Sequence, residues 1–404
     1  MSSAPITPLP VTATASATAC GVGNRRLLDA LLSGESRLRS SKLFTSDLPV
    51  YCGEIANELL PAIPAELQRF NSRNARIALA ALDCETDGLR TAIERAVGRY
   101  GASRVGIVLG TSTSGIYETE NAYIALAQDG RVPESYDFFH QHAWVATARF
   151  LQAEIGVAGP CYAVSTACSS SSKTIASAQR LILSGVCDAV LTGGVDSLCR
   201  MTLYGFRSLG LVSKSPCMPL DRDRSGISLG EAAGLLLLER PQPEFADCSH
   251  LLGCGESSDA HHMTAPHPEG RGAILAMNYA LSQAGLSASD IDYINLHVTG
   301  TLKNDEAEMC AIESVFAHAT ACSGTKGLTG HTLGAAGGVE AIIALLSLQH
   351  GFKPGTCGLR ELDPSFSSNV LFEPQTGVTV NKVMSNNFGF GGNNTTLIFG
   401  RPHD

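Results

Sequence analysis

Apolar and polar positions along this chain fall into short blocks that alternate between strand-like and helix-like spacing. Residues 5–22 are small and β-branched (VTATASATA), then turn through CGVG into a helical stretch from Asn24 to Leu32. Residues 34–75 read as irregular, with prolines at 49, 61 and 64, and residues 76–99, rich in Ala and Leu, read as helix. Arg104–Gly110 predicts a short buried strand followed by the polar turn Thr111–Gly115. Residues 128–145, polar and aromatic, read as a cap or surface insertion. Cys161–Thr166 is again strand-like. It turns through Ala167 and Cys168 into four serines, Ser169–Ser172, and then into a helix with Ile175, Ala178 and Ile182 on one face and Gly185 as its C-cap. DAVLTGG (188–194) and GLLLLE (234–239) are strands, with a helical stretch at 196–206 and a loop at 208–226 between them.

The second half repeats the style. A helix over 270–285 precedes the strand DYINLH (292–297), and Asn304 is placed to cap a helix running to about Ala317. A glycine-rich loop (322–338), a buried helix (339–350) and two closing strands around NNFGFGGNN (386–394) follow. This alternation predicts an α/β fold with helices packed on buried sheets, and the matching content of the two halves suggests a duplicated unit. PQPEFADCS (241–249) is the candidate boundary. It divides an N-terminal half, residues 1–245, from a C-terminal half, residues 246–404.

Composition narrows the class. The 404 residues are 44% apolar and 17% charged, which suits a large buried core, and the net charge of −9 argues against a general nucleic-acid grip. Thirteen cysteines form no CxxC pair or regular framework, which points to a reduced, cytoplasmic protein. The first positive side chain is Arg25, so no basic segment precedes an apolar core as in a secretory signal. No uninterrupted apolar run approaches ~18 residues, so no membrane insertion is expected.

Four stretches carry reactive side chains. Cys168 sits where a strand hands over to a helix N-terminus, whose free N–H groups and positive end favour a thiolate; taken alone, a cysteine is more often a small core residue. His297 ends a strand, where a hydrogen-bonded buried histidine is the plainer reading. GTKGLTGHTLGAAGG holds Lys326 and His331 on a backbone free to bend, but lacks the GxxxxGK[ST] order of a phosphate loop. In NNFGFGG, glycines flank Phe390; an ordinary turn with two core phenylalanines, Phe388 and Phe390, is the alternative. One Cys and two His with no Asp paired to either suit two imidazoles donating to one oxygen that becomes negative, such as an enolate formed by decarboxylation. A Cys–His protease would need one base and an orienting Asn or Asp. His261, His262 and His267 cluster, but without a cysteine pair they read as loop rather than a zinc site.

Together these stretches resemble the β-ketoacyl-acyl carrier protein synthases, elongating condensing enzymes of the thiolase superfamily. The motifs are STACSSSS (165–172), DRDRSGISLGEAAG (221–234), DAHHMTAP (259–266), HVTGT (297–301), GTKGLTGHTLGAAGGVEA (324–341) and NNFGFGGNN. The resemblance implies a thiolase-like, duplicated five-layer α-β-α-β-α arrangement. It implies decarboxylative Claisen condensation of an acyl thioester, held on Cys168, with malonyl-acyl carrier protein. His297 and His331 would bind the malonyl thioester carbonyl and stabilise the enolate. Lys326 matches the family lysine, with Glu308 as its ion partner and Asp305 beside it. The N–H groups of Cys168 and Phe390 would form the oxyanion hole, and Phe390 would gate the second substrate. Thr299, Thr301, Phe388 and Phe206 would contact substrate. Asn295, Glu340, Ser385 and Asn386 resemble a set that holds a monovalent cation in some members; no other metal and no tightly bound cofactor is implied. Substrates would arrive on the 4′-phosphopantetheine of acyl carrier protein, and the enzyme would be a homodimer, or a heterodimer with a chain-length-factor-like subunit.

Val298, where the family has glycine, is expected to narrow the pantetheine channel. Asn393 and Ser225 depart as well, and the three changes suggest a specialised, stand-alone branch in a polyene or polyketide pathway rather than housekeeping fatty acid synthesis. Two alternatives compete. A non-catalytic chain-length subunit usually lacks the cysteine, whereas Cys168, His297, Lys326 and His331 are all present. A thiolase acting on acyl-CoA generally has a second cysteine near its C-terminus, but the last here is Cys357.

Overall fold

The computed structural model describes residues 5–41, 43, 50–316 and 320–401. Among the described residues the main sheet system has eleven strands, a short one (Gly21–Val22) paired beside the first and ten in one continuous order: β1 (Leu9–Thr18), β2 (Val105–Gly110), β3 (Cys161–Val164), β4 (Ala189–Asp196), β5 (Ala232–Glu239), β6 (His250–Ser258), β7 (Tyr293–Asn295), β8 (Ala321–Ser323), β9 (Lys382–Gly389) and β10 (Asn393–Gly400). The first five lie in the order β3-β2-β4-β5-β1 and the second five in the order β8-β7-β9-β10-β6. Adding five to each label of the first order gives the second. Pairing directions repeat too: β3-β2-β4 and β8-β7-β9 run parallel, while β4-β5-β1 and β9-β10-β6 run antiparallel. The duplication suggested by element content is therefore explicit in the topology. The two sheets join where Leu9 and Pro10 pair with Leu251 and His250.

The helices of the layers include α1 (Arg73–Leu82), α2 (Leu89–Tyr100), α3 (Ala146–Ile155), α4 (Ser170–Leu183), α5 (Arg271–Ala284), α6 (Leu302–Phe316) and α7 (Ala336–His350), and the helix Asn24–Ser33 adds Leu27, Leu28 and Leu31 to the central core. The strands explain the layering, because successive side chains point to opposite faces. In β5, Leu235 and Leu237 pack outward with α1, α2 and α3, while Leu236 and Leu238 pack inward with α4 and α7. In the other sheet, Met384 and Ile398 face α5 and α6, while Val383, Leu397 and Phe399 face the central helices. Three apolar cores thus separate five layers, α-β-α-β-α. Strands buried on both faces read as continuous apolar runs, as GLLLLE does. The central layer is tight: a Cβ on Gly234 of β5 would lie 2.4 Å from the Gly338 backbone of α7.

Several boundaries differ from expectation. The stretch 76–99 is two helices, because Asp83–Gly88 turns the chain and Gly88 adopts φ +67° before α2. The helix expected over 196–206 is Arg200–Ser208; Asp196 instead ends β4, where its carboxylate accepts hydrogen bonds from other loops. Asn304 does not cap α6, which begins two residues earlier, and Ala317 lies outside the described residues. Asn386 to Gly389 are strand, so only Phe390–Gly392 form a turn. The stretch Leu333–His350 is long and apolar enough to cross a membrane by composition, yet it is buried between the sheets and carries Glu340, ion-paired to Lys326.

Candidate active site

The loops that follow the parallel strands of both sheets converge on one cavity of about 420 Å³. Cys168 comes from the turn after β3, His297 and Thr299 from the turn after β7, His331 from the loop after β8, and Phe390 from the turn after β9. Each serine of the polar run has its own task. Ser169 and Ser170 donate back to Thr166 and Ala167 at 2.9 and 2.6 Å, Ser171 accepts from Gly338 N–H at 2.8 Å, and Ser172 bonds Asn387. Together they close the turn that presents Cys168, in which Ala167 takes φ +52°, an unusual value for a residue with a side chain. Gly389 lets the end of β9 approach: a Cβ there would lie 3.2 Å from Cys168 N.

Cys168 Sγ lies 3.0 Å from His331 Nε2, and the His297 and His331 rings meet edge to face at 5.3 Å. All three side chains are buried. Lys326 Nζ donates to His297 Nδ1 at 3.2 Å. That contact places the imidazole proton on Nε2 and makes Nε2 a hydrogen-bond donor. Burial, then the Lys326 charge, holds both imidazoles well below the usual histidine range, so both are neutral at pH 7.

Two expectations need correction. Burial pushes the Cys168 thiol up to about 11, outweighing the Lys326 charge and the Phe390 N–H that favour the anion. The resting nucleophile is thus a thiol; its desolvation exceeds the helix-end effect because the sulfur is buried. The ion partner of Lys326 is Glu340, at 2.5 Å, not Glu308. Glu340 reaches Lys326 from α7 and is itself held by Asn387. Glu308 instead accepts the backbone N–H of His297 at 2.9 Å and the Asn386 side chain at 3.3 Å, and burial pushes it up to about 8. Asp305, one helical turn earlier on α6, performs the same service, accepting Thr299 N–H at 2.9 Å and Gly300 N–H at 3.2 Å.

Thr299 and Thr301 line the cavity with their hydroxyls 3.0 Å apart. Phe388 is buried 6.2 Å from the His297 ring, while Phe390 is half-buried with its ring 5.5 Å from Phe206. Ser225 lines the cavity, and Asn393 opens β10 opposite Gly389. Val298 does not narrow the channel: its side chain points into the outer core against Gly324, whose added Cβ would come within 2.2 Å of it. In the suggested cation set, Asn295 Oδ1 and Ser385 Oγ are buried without hydrogen-bond partners, as a cation site requires, but Glu340 and Asn386 are engaged with Lys326 and Thr396. His261, His262 and His267 are on a surface loop, of which His262 reaches the cavity. Asp196, silent in the sequence reading, is a hub. It accepts the N–H groups of Ser112 and Thr113 at 2.9 Å and that of Gly334 at 2.6 Å, while Ser112 donates to Ala167 O. The only hint was a polar residue ending an apolar strand.

Comparison with known proteins agrees. Residues 8–243 match the family described as "Beta-ketoacyl synthase, N-terminal domain" and residues 248–360 match "Beta-ketoacyl synthase, C-terminal domain". The chain belongs to the β-ketoacyl synthase family. It is 42% identical over 267 residues to the mitochondrial 3-oxoacyl-[acyl-carrier-protein] synthase of Arabidopsis thaliana, a match covering 60% of this chain and 57% of that one. It is 36% identical to nodulation protein E of Rhizobium meliloti, over 74% of this chain and 76% of that one. Among solved structures, a ketosynthase in complex with its chain length factor from Xenorhabdus doucetiae superposes with a TM-score of 0.90 at 41% identity, covering 98% of each chain. The ishigamide ketosynthase/chain length factor superposes with a TM-score of 0.88 at 28% identity, covering 97% of this chain and 98% of that one. The fold is the thiolase-like fold of ketosynthases, and the chain is an acyltransferase-type condensing enzyme.

Proposed function

We propose that this β-ketoacyl synthase extends an acyl chain held on Cys168, and that its two histidines act together on the enolate formed by decarboxylation. The observation that carries the reading is the single cavity in which Cys168 Sγ, 3.0 Å from His331, also faces His297. The Cys168 sulfur attacks the thioester carbonyl of acyl-acyl carrier protein, its proton leaves with the departing pantetheine thiol, and the acyl group is stored as a new thioester. Malonyl-acyl carrier protein then enters past Phe390 and Phe206, its pantetheine arm along Thr299 and Thr301. The C–C bond to carboxylate breaks, CO2 leaves, and the electron pair becomes an enolate whose oxygen lies between the His297 and His331 donors. The enolate carbon attacks the acyl carbonyl, whose oxygen is received by the N–H groups of Cys168 and Phe390. Collapse returns the sulfur and releases 3-oxoacyl-acyl carrier protein. Glu308 and Asp305 act as positioning residues by fixing the backbone from His297 to Gly300.

The partner proposed is a chain-length-factor-like subunit or a second copy, docking along the half-exposed edge strand β3; this chain, with Cys168, His297, Lys326 and His331 intact, takes the catalytic role. The two halves, residues 1–245 and 246–404, supply the nucleophile and the histidines respectively. Thirteen free cysteines support a cytoplasmic setting, and the likeness to ketosynthase/chain length factor structures supports a polyene or polyketide pathway. Intact-mass spectrometry after incubation with a panel of acyl carrier protein thioesters tests the reading. One acyl mass is expected per chain, on Cys168; no adduct with any thioester contradicts it.

A further inference from the structure

Among the described residues, the cluster best arranged to bind a metal ion is the catalytic one. The ligand atoms of Cys168, His297 and His331 all lie within 4.8 Å of one another, and all three residues are buried. A thiolate and two imidazoles with a fourth direction open to a cavity is a donor set that Zn2+ takes, with bonds of about 2.0–2.3 Å. Capture would displace the Cys168 proton and occupy the nucleophile. We propose that Lys326, beyond its place beside His297, keeps this cluster from capturing a divalent metal ion.

Two features of Lys326 oppose the metal. Its Nζ donates to His297 Nδ1, so Nε2 carries the ring proton and has no lone pair to give. Its ammonium is also fixed, 1% exposed and held by Glu340, and cannot swing aside to let the imidazole change tautomer. A fixed positive charge one imidazole width from a divalent ion, at an effective dielectric of ~20, weakens binding by more than about 100-fold. Glu340 offsets part of that charge, but Asn387 also bonds its carboxylate, which keeps it directed at Lys326 rather than at the sulfur. The inference concerns geometry, tautomer and fixed charge, so it stands or falls apart from the order of catalytic steps.

The test is metal titration of the full-length chain under a phosphine reductant, followed by the thiolate-to-cobalt charge-transfer band with Co2+ and by metal per chain with Zn2+. Wild type is compared with Lys326→Met and with the double variant Lys326→Met/Glu340→Gln, in which no buried carboxylate is stranded should the single variant fold poorly. At least one folded variant is expected to bind one Co2+ per chain with the thiolate band, about 100-fold more tightly than wild type, and to lose that band when Cys168→Ala is added. A wild-type enzyme that binds Co2+ through the thiolate as tightly as the variants overturns the proposal. So do folded variants that show no band, or metal uptake that persists at full affinity after Cys168→Ala.

Discussion

The two halves share strand order, pairing directions and loop positions, yet equivalent loops carry different loads. The loop after β3 holds the nucleophile Cys168, while its counterpart after β8 holds Lys326 and His331. The turn after β2, Thr111–Ser114, only supports; its counterpart after β7 carries His297. Both turns are clamped in the same manner, by a buried carboxylate that accepts consecutive backbone N–H groups. Asp196 takes those of Ser112 and Thr113, and Asp305 takes those of Thr299 and Gly300. The clamp is drawn from the end of β4 in one half and from α6 in the other, so it is a shared physical solution built from different elements. Duplication thus aims two sets of strand ends at one point, and each half furnishes what the other lacks.

The largest expected effect of breaking this division lies on the first half. Cys168→Ala should abolish the acyl adduct and with it condensation, read by intact mass and product formation. His297→Ala, on the second half, should slow malonyl decarboxylation by roughly 10²–10³-fold, the ordinary loss for one donor to a developing oxyanion, while the acyl adduct still forms. A pH series separates the halves further. With the Cys168 thiol pushed up to about 11, iodoacetamide alkylation of the resting enzyme should rise about tenfold per pH unit above neutrality without levelling near 8–9. A plateau near 8 would mean that an anion is already present. The folded chain holds this proton more tightly than the unfolded one, so stability is undiminished below pH 9 and is lost as pH climbs towards 11.

Smaller effects probe the clamps. Asp196→Asn should cost about 2–3 kcal/mol in chemical denaturation, because several N–H donors lose a charged acceptor, and should also slow acylation through Ala167 and Gly334. Val298→Ala should cost about 2 kcal/mol, for two buried methyl groups, and leave the KM for malonyl-acyl carrier protein unchanged. A marked fall in that KM would restore Val298 to the channel wall.

Much of this was legible in the chain. Cys168 and His297 each follow or end a strand-like run, Lys326 and His331 stand in one glycine-rich loop and Phe390 in another, and their placement follows once the strands run parallel. What the sequence hid was decided by distance or desolvation. Glu340 and Glu308 are both acidic residues near the motif, and only the register of α7 against the Lys326 loop selects Glu340. The helix end near Cys168 was visible, but the burial that outweighs it is a property of the packed cavity. Val298 faces the outer core rather than the channel because Gly324, 26 residues on in another strand's loop, makes room for the branched side chain, a neighbour that no local pattern shows.

The most direct test runs acyl loading and CO2 release side by side on wild type, His297→Ala and His331→Ala, using one acyl and one malonyl carrier protein thioester. The expected result is an intact Cys168 acyl adduct in His297→Ala, with CO2 release lost in both variants. CO2 release that persists in both variants at the wild-type rate would contradict the shared two-imidazole site.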